Sequence, residues 1–305
     1  MLIGLLFGLI SATANGTSNI LGAVAARRTG VLIAPMAVLT IALVFMSLFA
    51  LTAGLPFDFE LADMPLLIFL GVIVALGFML FYKALQLGPV SVVSAITATS
   101  GAASVLFAVV LLGEHPTFIQ WTAVPISTVG AVLATRTRRN PENGRRSIGM
   151  GPVYAALTVV TGGCSNALIR IPIVEHGPVQ AVVVQRLFTV VFIVLFVAAA
   201  TVVGHRRSRI GRAAATPVVL APRHRGGWQA TVALLVAMGA IDGTGFIGFA
   251  LGMAVAPAWF LGLVSQSGRL AAAFVATAVF RENLRPIQWI GIGLVAIGLV
   301  LAVWP

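Results

Sequence analysis

The sequence predicts an all-α membrane protein whose ten transmembrane helices form two inverted five-helix repeats. Hydrophobic residues make up 59% of the 305 positions and charged residues only 9%, whereas soluble domains carry about 25% charged residues. In addition, the stretch GEHPTFIQW at 113–121 nearly recurs as RENLRPIQW at 281–289. The equivalent glutamates, Glu114 and Glu282, lie 168 positions apart (282 − 114). The composition indicates lipid as the surrounding solvent, and the recurrence indicates a duplication.

Ten apolar runs are long enough to cross a bilayer. A spanning segment needs about 20 predominantly apolar residues, and it must be helical because backbone polar groups in hydrocarbon are satisfied only within the segment. No positive charge precedes the first run, so we expect a retained helix rather than a signal peptide. The predicted spans lie near 2–25, 31–53, 65–85, 90–112, 118–135, 151–172, 179–203, 228–252, 257–280 and 286–304.

Two shifts align the halves of the chain. A shift of 168 places GFMLFYKALQLGPV (77–90) on GFIGFALGMAVAPA (245–258) without a gap. Nearer the start, a shift of 147 places GTSN (16–19) on GCSN (163–166). The difference of 21 (168 − 147) is accounted for by a basic segment in the second half that the first half lacks.

The alignment predicts the domain organisation. The first repeat covers 1–135, a basic linker covers 136–150, and the second repeat covers 151–305 with the basic loop 204–227 inserted. Tandem units with an odd number of helices cross the membrane in opposite senses, which is the architecture of many secondary transporters. A duplicated bundle with a purely structural role is the alternative interpretation.

Motifs in both halves resemble the EamA-like family of the drug/metabolite transporter (DMT) superfamily. They are FYKALQLGPVSVVSAITATS (81–100) and LLGEHPTFIQWTAVPISTVGAVL (111–133), with their echo at 246–302. The resemblance covers nearly the whole chain. It implies ten helices, with a central cavity built from the first four helices of each repeat and a peripheral fifth helix.

The net charge of +11 is concentrated in short loops beside the predicted helices. That placement is typical of membrane topology and contact with anionic lipid, so we expect no nucleic-acid partner. The basic loops follow helices 1, 3, 5, 7 and 9, while the opposite face carries Asp58, Glu60, Asp63, Glu114 and Glu175. The positive-inside rule therefore predicts a multi-pass protein of the plasma (inner) membrane with these loops in the cytoplasm and both termini outside.

Three charged residues fall well inside predicted helices. They are Arg186, Asp242 and Arg269, and a charge near the bilayer centre costs roughly 2.5–3.5 kcal/mol on insertion scales. We expect Asp242 and Arg269 to face the central cavity and to interact directly or through substrate. A structural ion pair and a proton-coupling role for Asp242 are the alternatives. Two positive charges against one negative favour an anionic or zwitterionic substrate.

Uncharged polar residues extend the predicted site. Asn19 and Asn166 occupy matched repeat positions, and an amide offers two donors and an acceptor that can bind a polar substrate or bridge two helices. Ser18 lies on the polar stripe of helix 1, and Gln266 lies beside Arg269. Tyr82 either lines the cavity or belongs to an aromatic belt at the membrane surface.

Residues at the ends of helices are given structural roles. Glu114 and Glu282 precede the last helix of each repeat, where a carboxylate caps exposed N–H groups and complements the helix dipole. Gating or coupling is the alternative for both. Lys83 and Arg170 are expected to snorkel to the membrane surface.

The sequence lacks the motifs that are typical of several kinds of enzyme and metal site. The chain has one cysteine, Cys164, no zinc-binding histidine pair at helical spacing, no Gly-Lys-Ser/Thr phosphate loop and no Gly-x-Ser-x-Gly elbow. We therefore expect no cofactor, no metal and no enzymatic activity. The four histidines are predicted to lie in loops.

The predicted function is secondary active transport, with export favoured, of a small polar metabolite across the plasma membrane by alternating access, driven by protons or exchange. The expected partners are the lipid bilayer and the small-molecule substrate, and the protein is expected to be a monomer or a homodimer. Two rivals remain open, an intramembrane enzyme acting on lipid-linked substrates and a channel or structural scaffold.

Overall fold

The computed structural model describes residues 1–29, 33–87, 90–134, 150–209, 227–265, 267–268 and 286–304. Throughout these ranges the regular structure is helical and no strand occurs, which confirms the all-α prediction. The helices are α1 (Leu2–Thr29), α2 (Ile33–Thr52), α3 (Met64–Leu87), α4 (Val90–Thr97), α5 (Ser100–Leu112), α6 (Phe118–Ala134), α7 (Gly151–Leu168), α8 (Arg170–His176), α9 (Pro178–Arg209), α10 (Trp228–Val255), α11 (Ala258–Ser265) and α12 (Pro286–Val303).

Seven segments in the described ranges are long and apolar enough to cross a membrane. They lie in α2, α3, α4 with α5, α7 with α8, α9, α10 and α12. Two further apolar helical stretches are shorter, Leu2–Ser18 in α1 and Phe118–Ala134 in α6. Only the first part of the predicted ninth span, 257–280, is described, and α11 lies within it. The arrangement as ten spans in two inverted repeats stays a prediction.

Two of the predicted helices are interrupted. Helix 4 divides into α4 and α5 at Ala98 and Thr99, where the Thr99 hydroxyl donates to the Ile96 carbonyl at 2.7 Å. Helix 6 divides into α7 and α8 at Ile169. Pro172 explains this second break, because it has no N–H to donate to the carbonyl four residues earlier.

The junction between α10 and α11 is also set by a proline. Ala256 is extended, with φ −141° and ψ 156°, because the ring of Pro257 disfavours the helical region for the preceding residue. From Ala258 to Val264 every residue of α11 is buried, and the helix packs against α1 and α5. The segment that follows the junction is therefore enclosed by other helices.

Contacts between the two halves occur in equivalent pairs. Gly71 on α3 packs so closely on Phe188 of α9 that a Cβ at this glycine would overlap the phenylalanine side chain. Gly239 on α10 packs in the same way on Ile41 of α2. The glycines are 168 positions apart (239 − 71) and their partners 147 (188 − 41). The same shifts of 168 and 147 that align the two halves of the sequence therefore also relate these two helix contacts.

The last helices of the two halves, α6 and α12, pack antiparallel. Near the start of α6, Gln120 donates from Nε2 to the Trp304 carbonyl just beyond α12, at 3.2 Å. Near the start of α12, Gln288 donates from Nε2 to the Ala134 carbonyl at the end of α6, at 3.4 Å. The two glutamines are 168 positions apart (288 − 120), so equivalent residues make reciprocal contacts between the two helices.

Candidate substrate cavity and neighbouring ion pairs

A cavity of about 230 Å³ lies between α3 of the first half and α7, α9 and α10 of the second. Its lining is mainly apolar and comprises Ile73, Val74, Gly77, Phe78, Phe81, Thr158, Gly162, Ser165, Asn166, Ile169, Gln185, Phe246 and Phe249. A volume of this order admits a small metabolite. The cavity draws on both halves, as the family resemblance implies.

Four phenylalanines form the aromatic part of the wall, and they are equivalent in pairs. Phe78 and Phe246 are 168 positions apart (246 − 78), as are Phe81 and Phe249 (249 − 81). The predicted site residues did not include them, although the aligned motifs at 77–90 and 245–258 contain all four. A search for matched aromatic positions, in addition to polar ones, would have found this wall.

Few of the lining residues are polar, namely Thr158, Ser165, Asn166 and Gln185. Gln185 on α9 donates from Nε2 to the Ser165 hydroxyl at 3.2 Å, and both side chains are buried. Asn166 donates from Nδ2 to the Ser104 hydroxyl on α5 at 3.4 Å. These hydroxyls and amides can donate to or accept from a ligand. The cavity can therefore hold an apolar body and orient one hydrogen-bonding group.

An ion pair lies behind the aromatic wall. Arg186 on α9, only 3% exposed, places Nη2 at 3.1 Å from Oδ2 of Asp242 on α10. The guanidinium carbon is 4.0 Å from the ring centroid of Phe246, which lines the cavity. Within the part of the chain that the structure describes, Arg186 Nε has no hydrogen-bond partner. The Phe246 ring thus covers a buried cation beside the cavity.

The described partner of Asp242 is therefore Arg186. The sequence-based hypothesis had paired Asp242 with Arg269, which lies outside the described residues together with Gln266 and Glu282. Asn19 belongs to α1, and its side chain is likewise outside the description. Arg186 itself was a predicted site residue, but its pairing with Asp242 was not anticipated.

The remaining predicted site residues have different positions. Asn166 lines the cavity. Ser18 is buried in α1, away from that lining. Tyr82 is next to the lining, and its ring meets the Phe81 ring edge-on at a centroid distance of 5.8 Å.

Glu114 binds a different helix from the one expected. Its Oε1 and Oε2 accept the backbone N–H groups of Ala258 and Trp259, each at 2.8 Å, at the start of α11. Glu114 thus caps exposed N–H groups, but those of α11 rather than those at the start of α6, the helix that follows it. Thr117 and Gln120 occupy that position, since Gln120 Oε1 accepts the Thr117 N–H at 2.9 Å and the Thr117 hydroxyl accepts the Gln120 N–H at 3.4 Å.

Arg170 takes part in the same cluster rather than snorkelling, which corrects its expected role. Its Nε lies 3.4 Å from Glu114 Oε1. Its Nη1 donates to the carbonyls of Met253 and Ala256 at the end of α10. The pair thus binds the free N–H groups of α11 and the free carbonyls of α10 across the break between these helices.

A second cluster lies at the same end of the bundle. Asp63, just before α3, places Oδ2 at 3.2 Å from His176 Nε2, at the end of α8. Glu175 Oε2 is 3.9 Å from the same nitrogen. The expectation that all four histidines lie in loops is wrong for His176 and for His205, which belongs to α9.

The first half of the chain matches a known protein family. The model of the EamA-like transporter family matches residues 2–136, and this family belongs to the DMT superfamily. The first half of the chain is therefore similar to an EamA-like transporter domain. The resemblance predicted from the sequence motifs is thereby confirmed for residues 2–136. This match and the apolar helices indicate a multi-pass membrane protein, and the family suggests a membrane transporter of the DMT type.

The fold has counterparts among solved structures. A protein of known crystal structure superposes with a TM-score of 0.71, over 99% of this chain and 96% of its own, at 18% sequence identity. This likeness extends over both halves of the chain and concerns the fold alone. No curated protein sequence matches the chain.

Proposed function

We propose that this EamA-like protein is a secondary active transporter that exports a small metabolite across the plasma membrane by alternating access. The observation that carries the proposal is the cavity between the two halves, with its wall of repeat-equivalent phenylalanines. A site shared by two equivalent halves can be exposed to either face when one half rocks against the other. The membrane transporter family of the first half supports the same interpretation.

The lining favours an amphipathic substrate. Aromatic and aliphatic side chains form most of the wall, while Ser165, Asn166 and Gln185 supply a small number of hydrogen-bonding groups. An apolar body with one polar group fits this division better than a wholly polar metabolite. Arg186, behind Phe246, gives an anionic or zwitterionic polar group a nearby cation.

The Arg186–Asp242 pair is the proposed coupling element. Each charge stabilises the other in a buried setting. Protonation of Asp242, or approach of a substrate carboxylate to Arg186, would compete with the pair and change the contact between α9 and α10. The proposed drive is therefore a proton gradient or exchange.

Closure at one end of the bundle supports an alternating-access cycle. The Glu114–Arg170 cluster and the Asp63–His176 contact join α3, α8 and the α10–α11 junction there. Opening at this end requires these contacts to separate. They are the proposed gate on the face opposite the basic loops.

A substitution at Gly162 tests the cavity directly. Gly162 lines the cavity, and a Cβ added there would meet no atom within 4 Å. Gly162→Leu should fill the cavity without disturbing the fold and reduce counterflow in proteoliposomes at least tenfold, for a substrate chosen by thermal-shift screening. Gly293→Leu is the matched control, because Gly293 has equally open surroundings on α12, away from the cavity. Wild-type counterflow in Gly162→Leu would refute the site.

Orientation is tested separately. The basic loops place both termini outside the cytoplasm under the positive-inside rule. A C-terminal fusion to a reporter that functions only outside the cytoplasm should be active, and one to a reporter that functions only inside it should be silent. The opposite pattern would reverse the proposed orientation without affecting the cavity.

A further inference from the structure

We propose that Asp63, Glu175 and His176 form a Zn²⁺ site at the end of the bundle opposite the basic loops. The three side chains offer two carboxylate oxygens and one imidazole nitrogen, and these three atoms lie within 4.8 Å of one another. Histidine nitrogen and carboxylate oxygen are common zinc ligands, and a site with three protein ligands leaves the fourth position for water.

The spacing of the ligand atoms suits tetrahedral zinc. His176 Nε2 is 3.2 Å from Asp63 Oδ2 and 3.9 Å from Glu175 Oε2. Zinc bonds of about 2.1 Å at tetrahedral angles place ligand atoms about 3.4 Å apart. These two separations lie on either side of that value, so small side-chain rotations would complete the site.

The imidazole nitrogen is buried and makes no well-aligned hydrogen bond to a described residue. Among the residues that the structure describes, His176 Nε2 makes no hydrogen bond, even though Asp63 Oδ2 is only 3.2 Å away. A buried polar atom without a partner is costly. A metal ion between the nitrogen and the two carboxylates would satisfy the nitrogen and neutralise both acids.

Neighbouring groups hold two of the ligands in place. The Phe59 ring packs on the imidazole at a centroid distance of 4.7 Å. Asp63 Oδ2 accepts the Glu60 N–H at 2.8 Å, which is the kind of outer contact that orients metal ligands. Glu175 is 59% exposed and provides the path from solvent.

Zinc at this position would join two elements of the proposed gate. Asp63 begins the turn into α3, whereas His176 ends α8, the helix that starts at Arg170. A bound cation would tie α3 to α8 and hold this end of the bundle closed. Zinc binding itself does not depend on the transport proposal.

Calorimetric titration of the tag-free, metal-stripped full chain in detergent with ZnCl₂ tests the site. The wild type should bind one Zn²⁺ per chain, and His176→Ala should weaken that binding at least tenfold. His115→Ala is the matched control, because His115 lies in an exposed loop after α5 and should leave the titration unchanged. Absence of saturable binding in the wild type would overturn the proposal, as would wild-type affinity in His176→Ala.

The melting temperature provides a second test, which remains informative if a variant folds too poorly for calorimetry. Zn²⁺ should raise the melting temperature of the wild type and of His115→Ala, but not that of Asp63→Asn or His176→Gln. Equal zinc-induced shifts in all four proteins would place the cation elsewhere and refute the site. Failure of transport in the Gly162→Leu test would leave these zinc results unaffected, so the two proposals fail independently.

Discussion

The carboxylate of Glu114 and the guanidinium of Arg170 lie 3.4 Å apart, and together they satisfy both sides of the break between α10 and α11. Glu114 binds the N–H end of α11, where the helix dipole is positive, and Arg170 binds the carbonyl end of α10, where it is negative. Buried backbone N–H and C=O groups are nearly always paired, and here the two side chains supply the partners. One ion pair, from residues after α5 and at the start of α8, thus stabilises the connection between α10 and α11.

Removing the charge of Glu114 should destabilise the protein. Glu114→Gln replaces a charged acceptor of two N–H groups and an arginine with a neutral amide. Hydrogen bonds to charged groups contribute about 1.5–3 kcal/mol, and we expect a loss of that size in the free energy of unfolding. Chemical unfolding in detergent measures it.

The control for Glu114 is a second carboxylate at the same end. Glu60→Gln should change stability by less than about 0.5 kcal/mol, because its side chain is exposed. Arg170→Gln combined with Glu114→Gln should cost less than the two single losses added together, since the residues share one cluster. Additive losses would contradict the cluster.

The two single substitutions in the Arg186–Asp242 pair should destabilise the protein to different extents. Breaking a buried ion pair costs about 3–5 kcal/mol because one charge is left uncompensated. Asp242→Asn strands Arg186, which is 3% exposed, whereas Arg186→Met strands Asp242, which is 19% exposed. We therefore expect Asp242→Asn to lower the melting temperature more. The reverse order would contradict this burial argument.

Replacing both members of the pair separates stability from transport. Apolar replacement of a buried ion pair is often neutral or stabilising, so Arg186→Met with Asp242→Leu should regain most of the lost stability. Transport in proteoliposomes should nevertheless be abolished, because both coupling charges are gone. Normal transport by the double variant would show that the pair has a structural role and no role in coupling.

The equivalent glycines Gly71 and Gly239 should respond alike to alanine. In each case the added Cβ would overlap a side chain of the packed helix, Phe188 or Ile41. Overpacking of this kind costs roughly 1–3 kcal/mol, measured as the change in unfolding free energy. Gly293→Ala has free space around it and should be neutral or slightly stabilising. A loss at only one of the two sites would argue against equivalent contacts.

The sequence by itself determined the class of the protein and the relation between its halves. Apolar runs and the sparse charge predicted a helical membrane protein, because lipid leaves the backbone few alternatives. The shifts of 168 and 147 predicted equivalent positions, and Gly71 and Gly239 make equivalent contacts across the halves. Helical periodicity and duplication are visible along the chain, so these features needed no coordinates.

Only the tertiary structure decided which side chains meet. Glu114 binds N–H groups 144 and 145 positions later, and Arg186 meets Asp242 56 positions away. The His176 cluster likewise combines residues from α8 with Asp63 before α3. Local periodicity specifies the face on which a residue lies, but the partner depends on how every helix packs against the others. The breaks before Pro257 and around Pro172 then brought Glu114 and Arg170 to the same junction.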